Sequence, residues 1–274
     1  MFTSRKVFRL ISACVSGAAF CAAVLIGCST HSMQTKPTTL RVMTYNIHHG
    51  EGLDGKVDLL RIAQLIQREG AEIVALQEVD KGVARTARRD FPAELAALTG
   101  MTCVFSNNFS FQGGEYGNAV LTRFPVLRAT NTPFQMLRVG EQRGLMQLVL
   151  DIHGRELVFM NTHIDYRPDD AERMLNAGEI ETRIKLYAGR PIILCGDFNA
   201  TPESRVGRRL SENFEDTWAR VGQGDGFTIP ASLPTKRIDY IWIAKDKLPE
   251  PLKIWVPKSE ASDHLPVVAE FHLR

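Results

Sequence analysis

The chain has 274 residues, with 33 Lys+Arg against 31 Asp+Glu, 44% hydrophobic residues and five cysteines. Such figures describe an ordinary globular protein of one large or two small domains, and exclude a disordered chain, a collagen-like repeat and a disulfide-stapled miniprotein. The formal charge of +2 resides in the first residues, where Arg5, Lys6 and Arg9 stand without an acid; the remainder is close to neutral, so nucleic-acid binding has no global electrostatic basis and would need a local patch.

Met1 to Arg9 is a basic head, and Leu10 to Ile26 is an uncharged apolar run. This is the layout of a secretory signal, which stands apart from the fold; an uncleaved anchor is the alternative that the run's length allows. Leu25-Ile26-Gly27-Cys28 resembles a bacterial lipobox. The resemblance implies a lipoprotein signal peptide over residues 1–27 and a lipid on Cys28, the new first residue, which would hold the protein at a membrane surface; each buried methylene adds roughly 0.8 kcal/mol. Ser29 follows Cys28 where an Asp would resemble an inner-membrane retention signal, so a lipid-anchored place in the cell envelope, at the outer membrane where there is one, is expected. Residues 28–39 read as the lipidated cysteine and a flexible tether, and residues 40–274 as the folded domain. Cys103 and Cys195 each lie in an apolar strand-like run, and two buried free thiols are expected even in a compartment that would permit a disulfide. With no CxxC pair, a thiolate zinc site is not expected.

Leu40 to Tyr45 reads as a strand, and Asp58 to Glu69 as a helix with Leu59, Ile62, Ala63 and Ile66 on one stripe and Gly70 as its stop. A buried strand follows at Ile73 to Leu76, then a short helix from Pro92 to Thr99, with Pro in its first turn and Gly100 after it. Further strands are expected around Thr102 to Phe105, Asn118 to Arg123, Gly144 to Ile152 and Glu156 to Met160. Asp169 can cap a helix reaching about Ala188, with Met174, Ala177, Ile184 and Tyr187 inward and Gly189 beyond. The last strands fall at Pro191 to Cys195, Ile238 to Ile243, Leu252 to Val256 and Pro266 to Leu273. Many strands with few interleaved helices predict α/β sheets packed face to face with helices outside.

Four apolar runs end in polar clusters: LRVMTY in Asn46, EIVALQ in Glu78, ELVFMN in Thr-His163-Ile-Asp165 and PIILCG in Asp197-Phe-Asn199. A fifth cluster, Ser262-Asp263-His264, precedes the last strand. One carboxylate at a strand end is ordinarily a solvated boundary residue. Five clusters on one rim would instead bring together Glu78, Asp197 and Asp263 with two amides and two histidines. That set is dominated by hard oxygens and suits Mg²⁺ or Mn²⁺, not zinc. A divalent ion there would screen the carboxylates and polarise a phosphoryl oxygen, the basis of metal-assisted hydrolysis.

The segments TYNIHHG, ALQEVD, GNAVLTRFP, NTHID, GDFNATP, RIDYIW and SDHLPV, in this order from about Leu40 to Leu273, resemble those of the endonuclease/exonuclease/phosphatase superfamily, whose fold is like deoxyribonuclease I. The resemblance implies a four-layer α/β/β/α sandwich with two mixed sheets face to face and the site at one end. It assigns Glu78 to the metal, with Asn46 holding the same ion or its waters and Asp263 as the second metal-side carboxylate. Asp197 and Asn199 would position the attacking water and the phosphate, His264 would contact the scissile phosphate with Asp239 orienting it, and His163 would stabilise or protonate the leaving oxygen. In-line attack on phosphorus needs those three kinds of help. Whether Asp197 or the Asp239–His264 pair takes the water's proton stays open.

Asn118 and Arg143 are possible phosphate contacts, although a surface arginine is the commoner case. His48 could reach metal or substrate or be a hydrogen-bonded loop residue, as could its neighbour His49. Tyr116 is more often packing, and Asp165 could orient His163 or accept a backbone hydrogen bond. The expected function is a divalent-metal-dependent phosphoesterase acting on a small-molecule or lipid-linked phosphodiester. An extracellular nuclease is the alternative, favoured if Arg85, Arg88 and Arg89 cluster beside the site; a surface binding lipoprotein without catalysis is the alternative of another class. No protein partner is implied. Specificity is expected in Asn107 to Glu115, Thr130 to Gly140 and Gly222 to Phe227, read as loops.

Overall fold

Strands that are apolar on both sides must be covered on both faces, and the chain solves this with four layers. The computed structural model describes residues 39–245 and 249–272; the signal, Cys28 and nearly all of the tether lie outside the described residues. One six-stranded sheet holds β1 (Thr39–Asn46), β2 (Ile73–Lys81), β3 (Thr102–Phe111), β4 (Gly114–Thr122), β11 (Glu250–Trp255) and β12 (Val267–His272), in the order β11-β12-β1-β2-β4-β3. The other holds β5 (Val126–Pro133), β6 (Gly144–Ile152), β7 (Arg155–His163), β8 (Ile192–Asp197), β9 (Phe214–Asp216) and β10 (Asp239–Ala244), in the order β5-β6-β7-β8-β10-β9.

Period-two alternation sorts each strand between two cores. Leu40 and Val42 of β1, Ile73 and Ala75 of β2, Phe159 of β7, Ile193 and Cys195 of β8, and Ile241 and Ile243 of β10 meet between the sheets. Met43 and Tyr45, Val74 and Leu76 turn the other way, against α1 (Leu59–Glu69) and α2 (Phe91–Thr99). On the far side, Ile192, Leu194, Tyr240 and Trp242 pack against α3 (Ala171–Ile184) and α4 (Arg205–Asn213). The fold is the expected α/β/β/α sandwich.

Helix ends follow their local signals. Asp58 caps α1 by accepting from the backbone N–H groups of Leu60 and Arg61, and Gly70 closes it in the left-handed region at φ 65°. At α3 the expected cap is displaced: the N-cap position is Asp170, whose side chain makes no capping bond, while Asp169, one residue earlier, accepts from Ala171 N at 3.2 Å and also binds Arg138. The helix stops at Ile184, short of the expected Ala188, with a separate 3-10 turn at Lys185–Tyr187. Cys103 and Cys195 are free thiols.

Several elements went unread. β5 is a polar strand on the sheet's edge, β9 spans three residues, and α4 is a short, strongly polar helix whose amphipathic stripe is only Val206, Gly207 and Leu210, so each offers few apolar residues to read. A short helix α5 (Thr217–Val221) follows β9. Two of the three expected loops are partly strand: Asn107 to Phe111 continues β3 into a hairpin with β4, and Thr130 to Pro133 belongs to β5. Gly and polar residues have the composition of loops, but edge pairing and a bulge tolerate them within strands.

Candidate active site

Along β1, β7, β8 and β10 the face toward the other sheet is apolar at one end and turns polar toward the other, through Thr44 and then Asn46 on β1, Asn161 and then His163 on β7, Asp197 on β8 and Asp239 on β10. Asn46 continues the row of Leu40 and Val42, His163 that of Phe159, and Asp197 that of Ile193 and Cys195. Topology brings these ends together. β1 is parallel to β2 and β7 to β8, so their C-terminal ends coincide. Antiparallel β10 begins there, with Asp239 directly opposite Asp197, and antiparallel β12 begins beside the end of β1, bringing His264.

Glu78 reaches the same place by a different route. The pairing of β2 with β4 slips between Leu76 and Val79, and Glu78 sits in this bulge at φ 60°. An extra residue re-aims a side chain that plain alternation would send toward the helices. Asn161 and Gln77 brace the bulge across the sheet interface. The Asn161 amide donates to Leu76 O at 2.9 Å and Ala119 O at 2.8 Å, and Gln77 Nε2 donates to Asn161 Oδ1 at 2.7 Å. Neither residue is among the expected site residues, and the signal for them in the sequence is a polar residue inside each of two otherwise apolar strands. His48, His49 and Asn199 share the left-handed backbone of Glu78, with φ of 44°, 42° and 45°. Such conformations cost energy and persist where surrounding structure holds them, commonly at working sites.

The groups are in contact. Asn46 Nδ2 donates to Glu78 Oε1 and to Asp197 Oδ2, both at 3.0 Å, while its Oδ1 accepts from His48 N, which fixes the amide's orientation. Asp197 Oδ1 accepts from Asn199 N at 2.9 Å. His264 bonds Asp239 through Nδ1 at 2.9 Å and points Nε2 at Asp197 Oδ2, 3.7 Å away. Thr228 Oγ1 donates to the same Asp239 oxygen. Ser262, which donates to Asn46 O and accepts from His264 N, ties the last cluster to the first.

Burial, then Asp239, push the Asp197 carboxyl up to about 7. For His264 burial works against charge, but Asp239 and Asp197 outweigh it and raise the imidazole to about 10. His163 goes the other way: burial, with Arg143 and His264 nearby, holds it well below its usual value, so it is neutral. Arg143 places Nη1 3.1 Å from His163 Nδ1. Each ring nitrogen thus faces a group that only donates, the Arg143 guanidinium at Nδ1 and the Asn199 amide Nδ2 at Nε2, 3.0 Å away, with Asp197 Oδ2 3.5 Å from the same Nε2.

These residues line a cleft of about 410 Å³ that includes Glu78, Asp197, Asn199, His163, His264, His48, His49, Arg143 and Tyr116. Arg143 is no surface residue; it is buried, and Glu141 holds its Nη2 at 2.8 Å. Tyr116 is part of the wall. Asn118 is buried on β4, and its Nδ2 has no partner. Two expected residues stand apart. Asp165 pairs with Arg167 at 2.7 Å and also accepts from the Arg167 backbone, so it does not orient His163. β7 ends at His163, and with it the shared face that the two-residue spacing suggested. Asp263 is half exposed off the cleft wall, its Oδ1 3.9 Å from His48 Nδ1.

The residues present fit a divalent cation. Glu78 and Asp197 offer carboxylate oxygens bonded by amides and a backbone N–H and approached by imidazoles, with no guanidinium or ammonium bonded to either among the described residues. Asp197, Asp239 and His264 also bring one donor atom each within 4.8 Å of one another, a buried cluster that could hold a metal. Asp239 and His264 are already bonded to each other, so the Glu78 side of Asp197 is the freer one.

A cleft of carboxylates, amides and imidazoles at one end of a two-sheet sandwich is the arrangement of deoxyribonuclease-I-like phosphoester hydrolases. The chain belongs to the Endonuclease/Exonuclease/phosphatase family, whose model matches residues 43–264. It is 27% identical over 263 residues to the protein YbhP of Escherichia coli strain K12, covering 88% of this chain and 99% of that one. Among solved structures it is similar to an endonuclease/exonuclease/phosphatase from Beutenbergia cavernae, with 26% identity, a TM-score of 0.71 and coverage of 86% of this chain and 72% of the other. A mannosyl-6-phosphatase of Bacteroides thetaiotaomicron has the same fold, with a TM-score of 0.72 at 18% identity, covering 85% of this chain and all of that one.

Proposed function

We propose that the protein is a divalent-metal-dependent phosphoesterase that hydrolyses a small-molecule or lipid-linked phosphodiester by in-line attack of water, anchored in the cell envelope through a lipid on Cys28. The observation that carries the chemistry is Asp197, in contact with Asn46 and, through it, Glu78 on one side and approached by the Asp239–His264 pair on the other.

Glu78 and Asp197 would hold Mg²⁺ or Mn²⁺, which when bound supplies charge neutralisation for the phosphoryl oxygens, while Asn46, its amide nitrogen donating to both carboxylates, positions them. Asp197 and Asn199 orient the water. His264 already holds a proton between two carboxylates, so Asp197 is the group left to take the water's proton, while the imidazolium donates from Nε2 to a phosphoryl oxygen. His163 is neutral and has no imidazolium proton to give the departing oxygen; it holds Arg143 and Asn199, whose N–H groups would donate there. The unpartnered Asn118 amide and Arg143 are further donors for phosphate oxygens. Asp263 accepts from Ser262 Oγ at 3.3 Å and lies 3.9 Å from His48 Nδ1, so it would act through those two neighbours.

Less supports a nuclease. Asp80 takes up Arg85 and Glu94 takes up Arg89, which leaves Arg88 as the one arginine of the run without a carboxylate partner among the described residues, too little for a basic face.

The test is hydrolysis of bis(p-nitrophenyl) phosphate by the full-length chain, with Mg²⁺, with Mn²⁺ and with chelator. Chelation and Glu78→Ala should each abolish turnover, and Asp197→Ala and His264→Ala should each cost orders of magnitude without adding, since both act on one transition state. Activity that survives chelation and Glu78→Ala together sinks the metal reading. No hydrolysis despite measured Mn²⁺ binding would favour a binding lipoprotein.

A further inference from the structure

The apolar part of the cleft is made of rings. Beyond the acids, amides, arginines and histidines, its lining consists of Phe109, Phe111, Tyr116 and Tyr166, and among the described residues no aliphatic side chain lines it. The first three come from the β3–β4 hairpin. Pairing of β3 with β4 slips between Asn107 and Phe109, and the extra residue changes which face the strand presents. Cys103 and Phe105 pack on the helix side; with unbroken alternation Phe109 and Phe111 would follow them. After the bulge Phe109 lies opposite Tyr116, whose side of β4 also carries Val120 of the inter-sheet core.

The bulge is built in. Gly117, paired with Asn107, has no room for a side chain, since a Cβ there would lie 1.9 Å from Ser106 O. The three rings touch edge to face or tilted, with centroids 5.2 Å apart for Phe109–Tyr116, 6.0 Å for Phe109–Phe111 and 6.4 Å for Phe111–Tyr116. Arg85, itself held by Asp80, lies 4.9 Å from the Phe111 centroid and 5.4 Å from that of Tyr116. From the other sheet, Tyr166 follows β7 on the same cleft, more than half exposed, with the Arg143 guanidinium 5.7 Å from its ring. A flexible acyl chain is matched by aliphatic walls. Ring faces with charged and amide groups at their edges match a flat ligand with polar edges.

We propose that Phe109, Phe111, Tyr116 and Tyr166 form a subsite that stacks on the face of a ring, a nucleobase or the C–H face of a sugar, carried on the organic group of the phosphoester. This rests on the phosphoesterase reading and narrows it to a ring-bearing small molecule, away from a lipid.

The experiment is calorimetric binding of four phosphate monoesters to the full-length chain: thymidine 5′-phosphate, glucose 6-phosphate, glycerol 3-phosphate and short-chain phosphatidate. At least one ring-bearing ligand should bind roughly tenfold or more tightly than glycerol phosphate, the scale of one base-on-aromatic stack. Their order separates nucleoside from sugar. In Tyr166→Ala, a substitution at an exposed position, the ratio should fall toward one; Phe111→Ala should act likewise, with circular dichroism reporting on its fold. Equal affinities, a ratio that Tyr166→Ala leaves unchanged, tightest binding of the phosphatidate, or no binding at all overturns the proposal. The hydrolysis assay is read separately: turnover without ring preference removes the subsite and keeps the phosphoesterase, whereas ring preference without turnover keeps the subsite and removes the phosphoesterase.

Discussion

Asn161 does more for the site than its position in an apolar strand suggests. Fully buried, it satisfies two backbone carbonyls of the opposite sheet and one Gln77 amide proton at the bulge that presents Glu78. Asn161→Leu strands those three groups at nearly constant volume, and each buried polar group left unpaired costs about 1–3 kcal/mol, part of it recovered by relaxation. The expected loss is about 3 kcal/mol in urea unfolding, with turnover falling further than stability explains because Glu78 loses its aim. An unchanged denaturation midpoint would show that the bulge holds itself. Single residues also mark where local reading stops. Glu78, Asp197 and His264 were legible as polar punctuation after apolar runs, but Asp165 was placed beside His163 on spacing alone, and the chain turns away from strand geometry one residue too soon.

At the level of elements, two bulges do what regular strands cannot. One turns Glu78 into the cleft and the other turns the Phe109 side of the hairpin toward it. Gly117→Ala tests the second, because the added methyl meets Ser106 O with no flexible neighbour to yield. Overpacking of this kind costs about 1–3 kcal/mol. The variant should unfold at lower denaturant and, where it still folds, raise KM for ring-bearing substrates more than it lowers kcat. Equal effects on ring-bearing and ringless substrates would separate the hairpin from specificity. Bulges leave little trace in composition, which is why Asn107 to Glu115 read as a loop. The caps of α1, by contrast, were plain in Asp58 and Gly70, because capping depends on one or two residues and their own backbone.

For the molecule as a whole, stability is tied to keeping buried acids protonated at high pH. Burial raises the Cys103 thiol from 9.0 to about 12, and Cys195 and Tyr45 are shifted in the same direction. In the unfolded chain these groups ionise first, so above pH 9 it binds fewer protons than the folded one. Stability is therefore full below pH 9 and falls as pH rises toward 12. The melting temperature should decline between pH 9 and 11, and both thiols should resist iodoacetamide at pH 8 until urea is added. A melting temperature that holds steady to pH 11, or rapid native alkylation, would contradict the burial argument.

What the sequence alone determined about this protein is the set of chemical groups and the local elements that carry them. Apolar runs with period-two or helical spacing, capped by Asp and Gly, are properties of neighbouring residues, and their polar ends named the acids, amides and imidazoles that now face one cleft. Only the tertiary structure decided which of those ends meet, which strand is bulged and which arginine is buried, because these depend on strand order, direction and register across pairs as distant as Asn46 and Asp197. Arg143 shows the difference most clearly. In sequence it is one of many arginines, and its place beside His163 exists only because β6 and β7 pair, with Leu145, two residues after Arg143, directly opposite Thr162, the neighbour of His163.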